Sequence, residues 1–527
     1  MTLVVPLLVA CAAPADGTVY QYTLHLRPVV PENESPFEGL SALDLVVQPE
    51  VGDPVRAPLE LFARGATSVT TGLPPLDGAV IHVEGFDGSE LVTWGRSEPI
   101  LAESGEVEST VLVARTSAPA WLGGLAVPAF GAGLAPLGDG AFLLGGGLTE
   151  AGDGTLDRAV SELSLLRLVP ATDSLAFEPL GSLPGWVDEE GETVAERAGA
   201  TLLPVTAGPS AGRILLVGGA AGPAWSDGVG LTGDTQLFDF EAAAWTPLAG
   251  GDGLAIPRAE HLAIVNAQGG VVVAGGWTRG AGGSVEVADT IEVWDASAGR
   301  FGQEQDGAGL GNLDLVGVDL GADGTMVCGG AQVEDGGRWV TSRSCVAVGL
   351  DGVARTAPDL PAAVAGAAMV ALPDGRILLT GGATQDSRVD LDVEPGPAGR
   401  TNAWVFVGGS TWQAVSPMGL PRAGHRLAVL PDGRVLVAGG AATYSPVVVP
   451  DDAYSCIELF DPLTNRFELV GDCDVGDAAG GLAGRAWKPA IAVDPELGAL
   501  VVGGANASAT GETAASQVTL FVPERQP

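Results

Sequence analysis

Four histidines, His25, His82, His261 and His425, are the only imidazoles in a chain of 527 residues. Imidazole is the side chain best suited to proton transfer near neutral pH, so these are the first candidates for chemistry. His261 and His425 occupy matching places, in Pro257-Arg258-x-x-His261 and Pro421-Arg422-x-x-His425. A position that recurs points to scaffold, and Arg197, Arg258, Arg422 and Arg485 recur in the same way. No G-x-S-x-G, H-E-x-x-H or phosphate-binding loop is present. Sixty-five acidic residues hide any glycosidase pair, because spacing across distant segments is invisible in sequence. The acidic runs 188–192 and 390–394 lack the spacing of a calcium loop and read as solvated. On these grounds the chain is expected to be a non-enzyme, with no metal and no cofactor.

Aromatic side chains offer a different chemistry. Trp225, Trp277, Trp339 and Tyr444 each stand in a variable loop, with Asp227, Arg279 and Arg338 nearby. Such rings stack on sugars or anchor peptides, so these four are the expected binding residues. The five cysteines are Cys11 and two close pairs, Cys328 with Cys345 and Cys456 with Cys473. No C-x-x-C occurs, and the pairs are read as two disulfides.

The elements that must position these groups are repeats. An apolar strand ending in Gly-Gly recurs seven times, from Leu143-Leu144-Gly145-Gly146 to Val501-Val502-Gly503-Gly504. Successive copies are about 50 to 75 residues apart, as in an array of supersecondary units. Before each diglycine lies a hairpin, as in Leu430-Pro431-Asp432-Gly433-Arg434. After it come a variable loop, a strand such as Ile457-Glu458-Leu459-Phe460-Asp461, and a last strand with an aromatic, as at Asn465-Arg466-Phe467. Four sequential strands per unit make the blade of a propeller.

This pattern resembles the kelch repeat family, from about Trp121 to Val522, with the sixth unit (Leu420 to Cys473) the nearest match. The resemblance implies a seven-bladed β-propeller over residues 117–527. The seventh unit stops after Gln517-Val518-Thr519-Leu520-Phe521, so Ala120-Trp121-Leu122 is predicted to supply its fourth strand. Copper radical oxidases also join a β-sandwich to a kelch propeller, but they need two His and two Tyr, one Tyr cross-linked to Cys. Tyr20, Tyr22, Tyr444 and Tyr454 do not read as that set.

Ahead of the repeats, residues 18–116 read as short alternating strands separated by turn clusters. Asp87-Gly88-Ser89 marks a hairpin. The spacing predicts a small immunoglobulin-like β-sandwich. At the very start, Leu8-Val9-Ala10-Cys11 looks like a bacterial lipobox. That resemblance implies that residues 1–17 are a lipoprotein signal and tether, with lipid attached to Cys11. No run of about 18 apolar residues follows, so no membrane-crossing helix is expected.

Charge narrows the partners. Lys and Arg total 25 against 65 Asp and Glu, a net charge of −40, which repels phosphate backbones and disfavours nucleic acid. The expectation is therefore an all-β chain, a seven-bladed kelch propeller preceded by a small sandwich. It is a monomeric lipoprotein of the cell envelope, at the outer membrane or cell surface rather than the inner membrane. Its loop-rich face binds a protein or a glycan. The alternative is a carbohydrate-active enzyme of mutarotase or lyase type, marked by titratable groups converging in a central pocket.

Overall fold

A computed structural model describes residues 2–4, 20–29, 35–59, 68–73, 78–100, 106–125, 130–151, 155–167, 176–188, 191–248, 252–307, 309–310, 312–334, 338–384, 398–408, 411–446, 448–470, 482, 484–508 and 511–525. Among them the regular structure is β throughout, save one short 3-10 turn at Gly321–Asp323. None of these residues forms a helix able to cross a membrane.

Seven sheets each run four strands in antiparallel order, and the third carries an extra short strand at Gln305–Asp306. Their first strands are Gly133–Gly138, Thr201–Pro204, Leu262–Val265, Val316–Asp319, Ala365–Ala371, Arg426–Val429 and Ala490–Asp494. These seven strands are neighbours in that order, and Ala490–Asp494 returns to lie beside Gly133–Gly138. The second strands are the most apolar, Val435–Ala438 and Val271–Ala274 being buried at every residue. They form the middle layer of each sheet, where both faces meet a neighbouring sheet.

Two details follow from the diglycines. Both glycines of each pair hold a positive φ, for example 65° at Gly439 and 87° at Gly440. A Cβ on Gly439 would overlap the carbonyl oxygen of Ala486 in the next sheet, so the residue is fixed by the close approach of two backbones. In the first unit the left-handed pair is Gly146 and Gly147, one residue later than the apolar pattern indicates. Gly145 is instead the last strand residue, paired with Leu163.

The last sheet takes its fourth strand from ahead of the first. Ala118–Gly124 pairs antiparallel with Gln517–Val522, placing Trp121 opposite Thr519. The strand expected at Ala120-Trp121-Leu122 is therefore found where the truncated seventh unit needs it.

The N-terminal segment differs from a pair of stacked sheets. It forms one sheet of eight strands, in the order Thr2–Val4, Ser68–Leu73, Tyr20–Pro28, Glu106–Arg115, Glu90–Ser97, Val80–Asp87, Ala42–Gln48 and Val55–Leu59. Tyr22 and Leu24 nevertheless share a buried core with Leu45 and Val83 from the far side of that sheet. The sheet thus coils over itself, and a sandwich-like core forms without a second sheet. Its other face, with Leu91, Trp94 and Leu112, packs on Leu500 and Leu520 of the seventh repeat sheet. The Arg96–Glu496 ion pair at 2.7 Å and Arg525 over the Trp94 ring complete that contact. Cys11 lies outside the described residues.

Candidate functional site

Each first strand of the repeat sheets is entered through one residue with left-handed backbone. These are Gly131, Gly199, Glu260, Asp314, Gly366, Gly424 and Lys488, with φ between 48° and 68°. Backbone bonds link successive members, from Glu260 N–H to Gly199 O at 2.8 Å and from Lys488 N–H to Gly424 O at 2.9 Å. Glycine is the ordinary occupant of such a position, and another residue there costs about 1–2 kcal/mol. Four of the seven are glycine; the other three carry charge. Strain held at one repeated position makes these three residues candidates for a functional site.

Glu260, Asp314 and Lys488 line a single cavity of about 440 Å³, to which all seven first strands contribute. The size suits a small-molecule site. Lys488 Nζ lies 2.8 Å from Asp314 Oδ1, and the Tyr444 hydroxyl donates to Asp314 Oδ2 at 2.8 Å. Asp314 is therefore engaged on both oxygens. Lys488 Nζ also sits 4.7 Å from the centre of the Trp487 ring. Burial pushes the Glu260 carboxyl up to about 7, with Lys488 drawing it back and Asp314 adding to the rise. Burial and the Asp314 carboxylate likewise hold the Tyr444 phenol well above its usual range. Arg426 lines the same cavity, and burial lowers its guanidinium, opposed by the Asp314 charge.

His261 lines the cavity next to Glu260, yet both repeat histidines are held as scaffold by a threonine. His261 Nε2 is 3.2 Å from Thr201 Oγ1, and His425 Nε2 is 2.7 Å from Thr380 Oγ1. Burial, then the neighbouring Arg258, lowers His261 to about 3, so it is neutral at physiological pH. His425 is lowered well below 6.5 by burial and by Arg422. The recurring arginines are structural too. Arg197, Arg258 and Arg422 are fully buried and pair with Asp234, Glu292 and Glu458. Each also donates to the carbonyl of the first glycine of its diglycine. Arg485 instead donates to Asp451 O. His25 and His82 lie in the N-terminal sheet, away from the cavity.

The four aromatic candidates are brought together, but not as an exposed face. Trp277, Trp339 and Tyr444 are 4%, 5% and 3% exposed, and Trp225 packs against their cluster. Trp277 and Trp339 meet edge to face with ring centres 6.1 Å apart. Small neighbours, Ala220, Ala259, Ala331, Ala365 and Ala423, leave the room that these rings fill. Arg279 ties the Trp225 loop down by donating to the carbonyls of Ala224, Ser226 and Val229. The rings thus back the cavity, and only the Tyr444 hydroxyl reaches its charged groups.

Cys328 and Cys345 form a disulfide between facing positions of adjacent strands in the fourth sheet. Cys456 is disulfide-bonded as well, while Cys473 lies outside the described residues.

Sequence reasoning passed over Glu260, Asp314, Arg426 and Lys488. One signal was available: aligning Ala198-Gly199, Ala259-Glu260, Ala365-Gly366 and Ala423-Gly424 shows charge where glycine is the rule.

No protein-family model matches the chain, and no curated protein matches it. Solved structures similar in shape include the following two. The structure of YjhT is 14% identical with a TM-score of 0.44, covering 66% of this chain and 99% of that one. A novel fungal alcohol oxidase of the AA5 family, in complex with copper, is 17% identical with a TM-score of 0.47, covering 76% of each chain. The expectation of a non-enzyme is corrected here by the cavity itself, which gathers Glu260, Asp314, Arg426 and Lys488, titratable groups that no local motif announces.

Proposed function

We propose that the chain is a carbohydrate-active enzyme of mutarotase type, working in the central cavity of a seven-bladed kelch-type propeller. The propeller reading is supported by seven four-stranded sheets whose first strands neighbour one another in a cycle. It is supported too by the last sheet's fourth strand coming from Ala118–Gly124. Residues 18–116 and 117–527 are read as its two units. Residues 1–17, with Cys11 as acceptor, are read as the lipoprotein signal of an envelope protein; loss of lipid labelling in Cys11→Ala tests that.

The observation that carries the catalytic reading is Glu260, a carboxyl titrating at about 7 in a cavity beside an ion pair. A group poised near the working pH can both take and give a proton, which is the requirement for general acid–base catalysis. Interconverting the anomers of a cyclic sugar needs proton transfers alone, with no leaving group and no water. Glycoside hydrolysis needs a second working carboxylate. The other carboxylate lining the cavity, Asp314, is occupied on its two oxygens by Lys488 and Tyr444.

The test is the rate of anomer interconversion, read by polarimetry and NMR exchange on a panel of neutral and acidic aldoses and ketoses. Wild type is expected to exceed the buffer rate for at least one sugar, and Glu260→Gln to lose about 100-fold or more. A wild type no faster than buffer on every sugar would remove the proposal.

A further inference from the structure

We propose that Lys488 is the second proton-transfer residue of this cavity, with Asp314 and Tyr444 as its positioning residues. The inference rests on the mutarotase reading and adds the group that reading lacks.

Three independent observations converge on Lys488. It is the only lysine in the sequence, so every other cationic position that Lys or Arg fills is arginine. Arginine does not release its proton in proteins, whereas lysine does. A chain needing only fixed positive charge in its cavity already has Arg426 there. Second, Lys488 stands at one of the seven left-handed positions, with φ 48°, where four sister positions are glycine. A strained backbone is retained at the one place that delivers an amine to the cavity. Third, its placement is fixed. Its side chain is 9% exposed, and Nζ is held by Asp314 Oδ1, itself held on Oδ2 by the Tyr444 hydroxyl. Glu260, the other proton carrier, lines the same cavity and feels the charge of Lys488.

The step balances without any co-reactant. In ring opening, the Glu260 carboxylate takes the proton of the anomeric hydroxyl as the C1=O double bond forms. The bond from C1 to the ring oxygen breaks, its electron pair passes to that oxygen, and the Lys488 ammonium protonates it. After rotation about C1–C2 the same transfers run backwards and close the other anomer. Both side chains return to their starting states. Asp314 steadies the ammonium before transfer, and Tyr444 keeps the Asp314 carboxylate turned toward it.

Two variants separate a proton donor from a fixed charge. Lys488→Arg preserves charge and suits the left-handed backbone no worse than lysine. It is expected to lose about 100-fold or more in kcat with little change in KM. Lys488→Gly places at 488 the residue found at four sister positions, so folding is preserved. Its activity is expected to return on adding small primary amines, with a rescue rate that follows the amine pKa. Tyr444→Phe is expected to lower kcat severalfold with KM unmoved. A Lys488→Arg variant within about threefold of wild type, or a Lys488→Gly variant that no amine restores, overturns the assignment while leaving the Glu260 reading intact. A wild type without interconversion activity removes both at once.

Discussion

Arg422 Nε donates to Glu458 Oε1 at 2.9 Å, and both side chains are buried. The same guanidinium donates to the carbonyls of Gly439 and Cys456, and Glu458 also accepts from the Gly419 N–H. One arginine therefore fastens the end of the second strand to the third strand of its own sheet. Arg258 and Glu292 repeat the arrangement in the third sheet at 2.8 Å, and Arg197 and Asp234 in the second at 2.9 Å.

Breaking such a pair leaves a buried charge without its counterion, a loss of about 3–5 kcal/mol. Arg422→Met is expected to fall by this amount in denaturant unfolding. The double variant Arg422→Met, Glu458→Leu is expected to recover much of it, since two apolar groups bury no charge. A single variant as stable as wild type would mean that water already reaches the Glu458 carboxylate.

Gly439→Ala is expected to be more costly than an ordinary glycine substitution. Its φ of 65° disfavours a Cβ, and that Cβ would overlap the Ala486 carbonyl of the next sheet. Strain plus displacement of a neighbouring backbone places the loss at about 2 kcal/mol or more. Thermal unfolding of this variant beside Gly433→Ala checks it. Gly433 is also left-handed, but a Cβ there meets only Pro373 Cγ at 3.7 Å. Equal losses would remove the sheet-to-sheet contact as the cause.

The repeat architecture was legible because backbone crowding writes glycine into the sequence at fixed places, as at Gly439 and Gly440. The first unit misled by one residue because three glycines, 145–147, follow its strand, and only pairing with Leu163 shows which one stays extended. The aromatic loops misled for another reason. Trp339 in a polar loop reads as a binding residue, yet the sheets bring its loop against those of Trp277 and Tyr444, where alanines leave space. Least legible was the cavity. Glu260, Asp314 and Lys488 belong to three different sheets, and no window of sequence holds two of them. Only the cyclic order of the first strands makes them neighbours.

The Cys328–Cys345 bridge closes a sequence separation of 17 residues. Loop closure of that length contributes about 3 kcal/mol on a chain-entropy argument. The Cys328→Ser, Cys345→Ser variant is expected to lose this amount in denaturant unfolding under non-reducing conditions. Unchanged stability would show that the two strands, already paired at these positions, restrict the unfolded chain no further through the bridge.

Glu260 ties activity and stability to pH in opposite senses. Its folded carboxyl titrates at about 7, above the ordinary value of 4.5, chiefly because burial disfavours the charge. A raised carboxyl binds its proton more tightly in the folded chain than in the unfolded one. Its contribution to stability is thus full below about pH 4.5 and is lost as the pH rises through 7. Glu260→Gln should match wild type near pH 4.5 and exceed it above pH 7. Activity that uses the carboxylate as base should instead rise through pH 7 in wild type. The neighbours set the midpoint. Lys488 pulls it down and Asp314 pushes it up, so Lys488→Gly should move it higher and Asp314→Asn lower. The check is the pH profile of kcat in wild type and Asp314→Asn, beside the pH dependence of unfolding for all three variants. A midpoint that stays in place when Lys488 is removed would mean that this amine and Glu260 do not share the cavity's field.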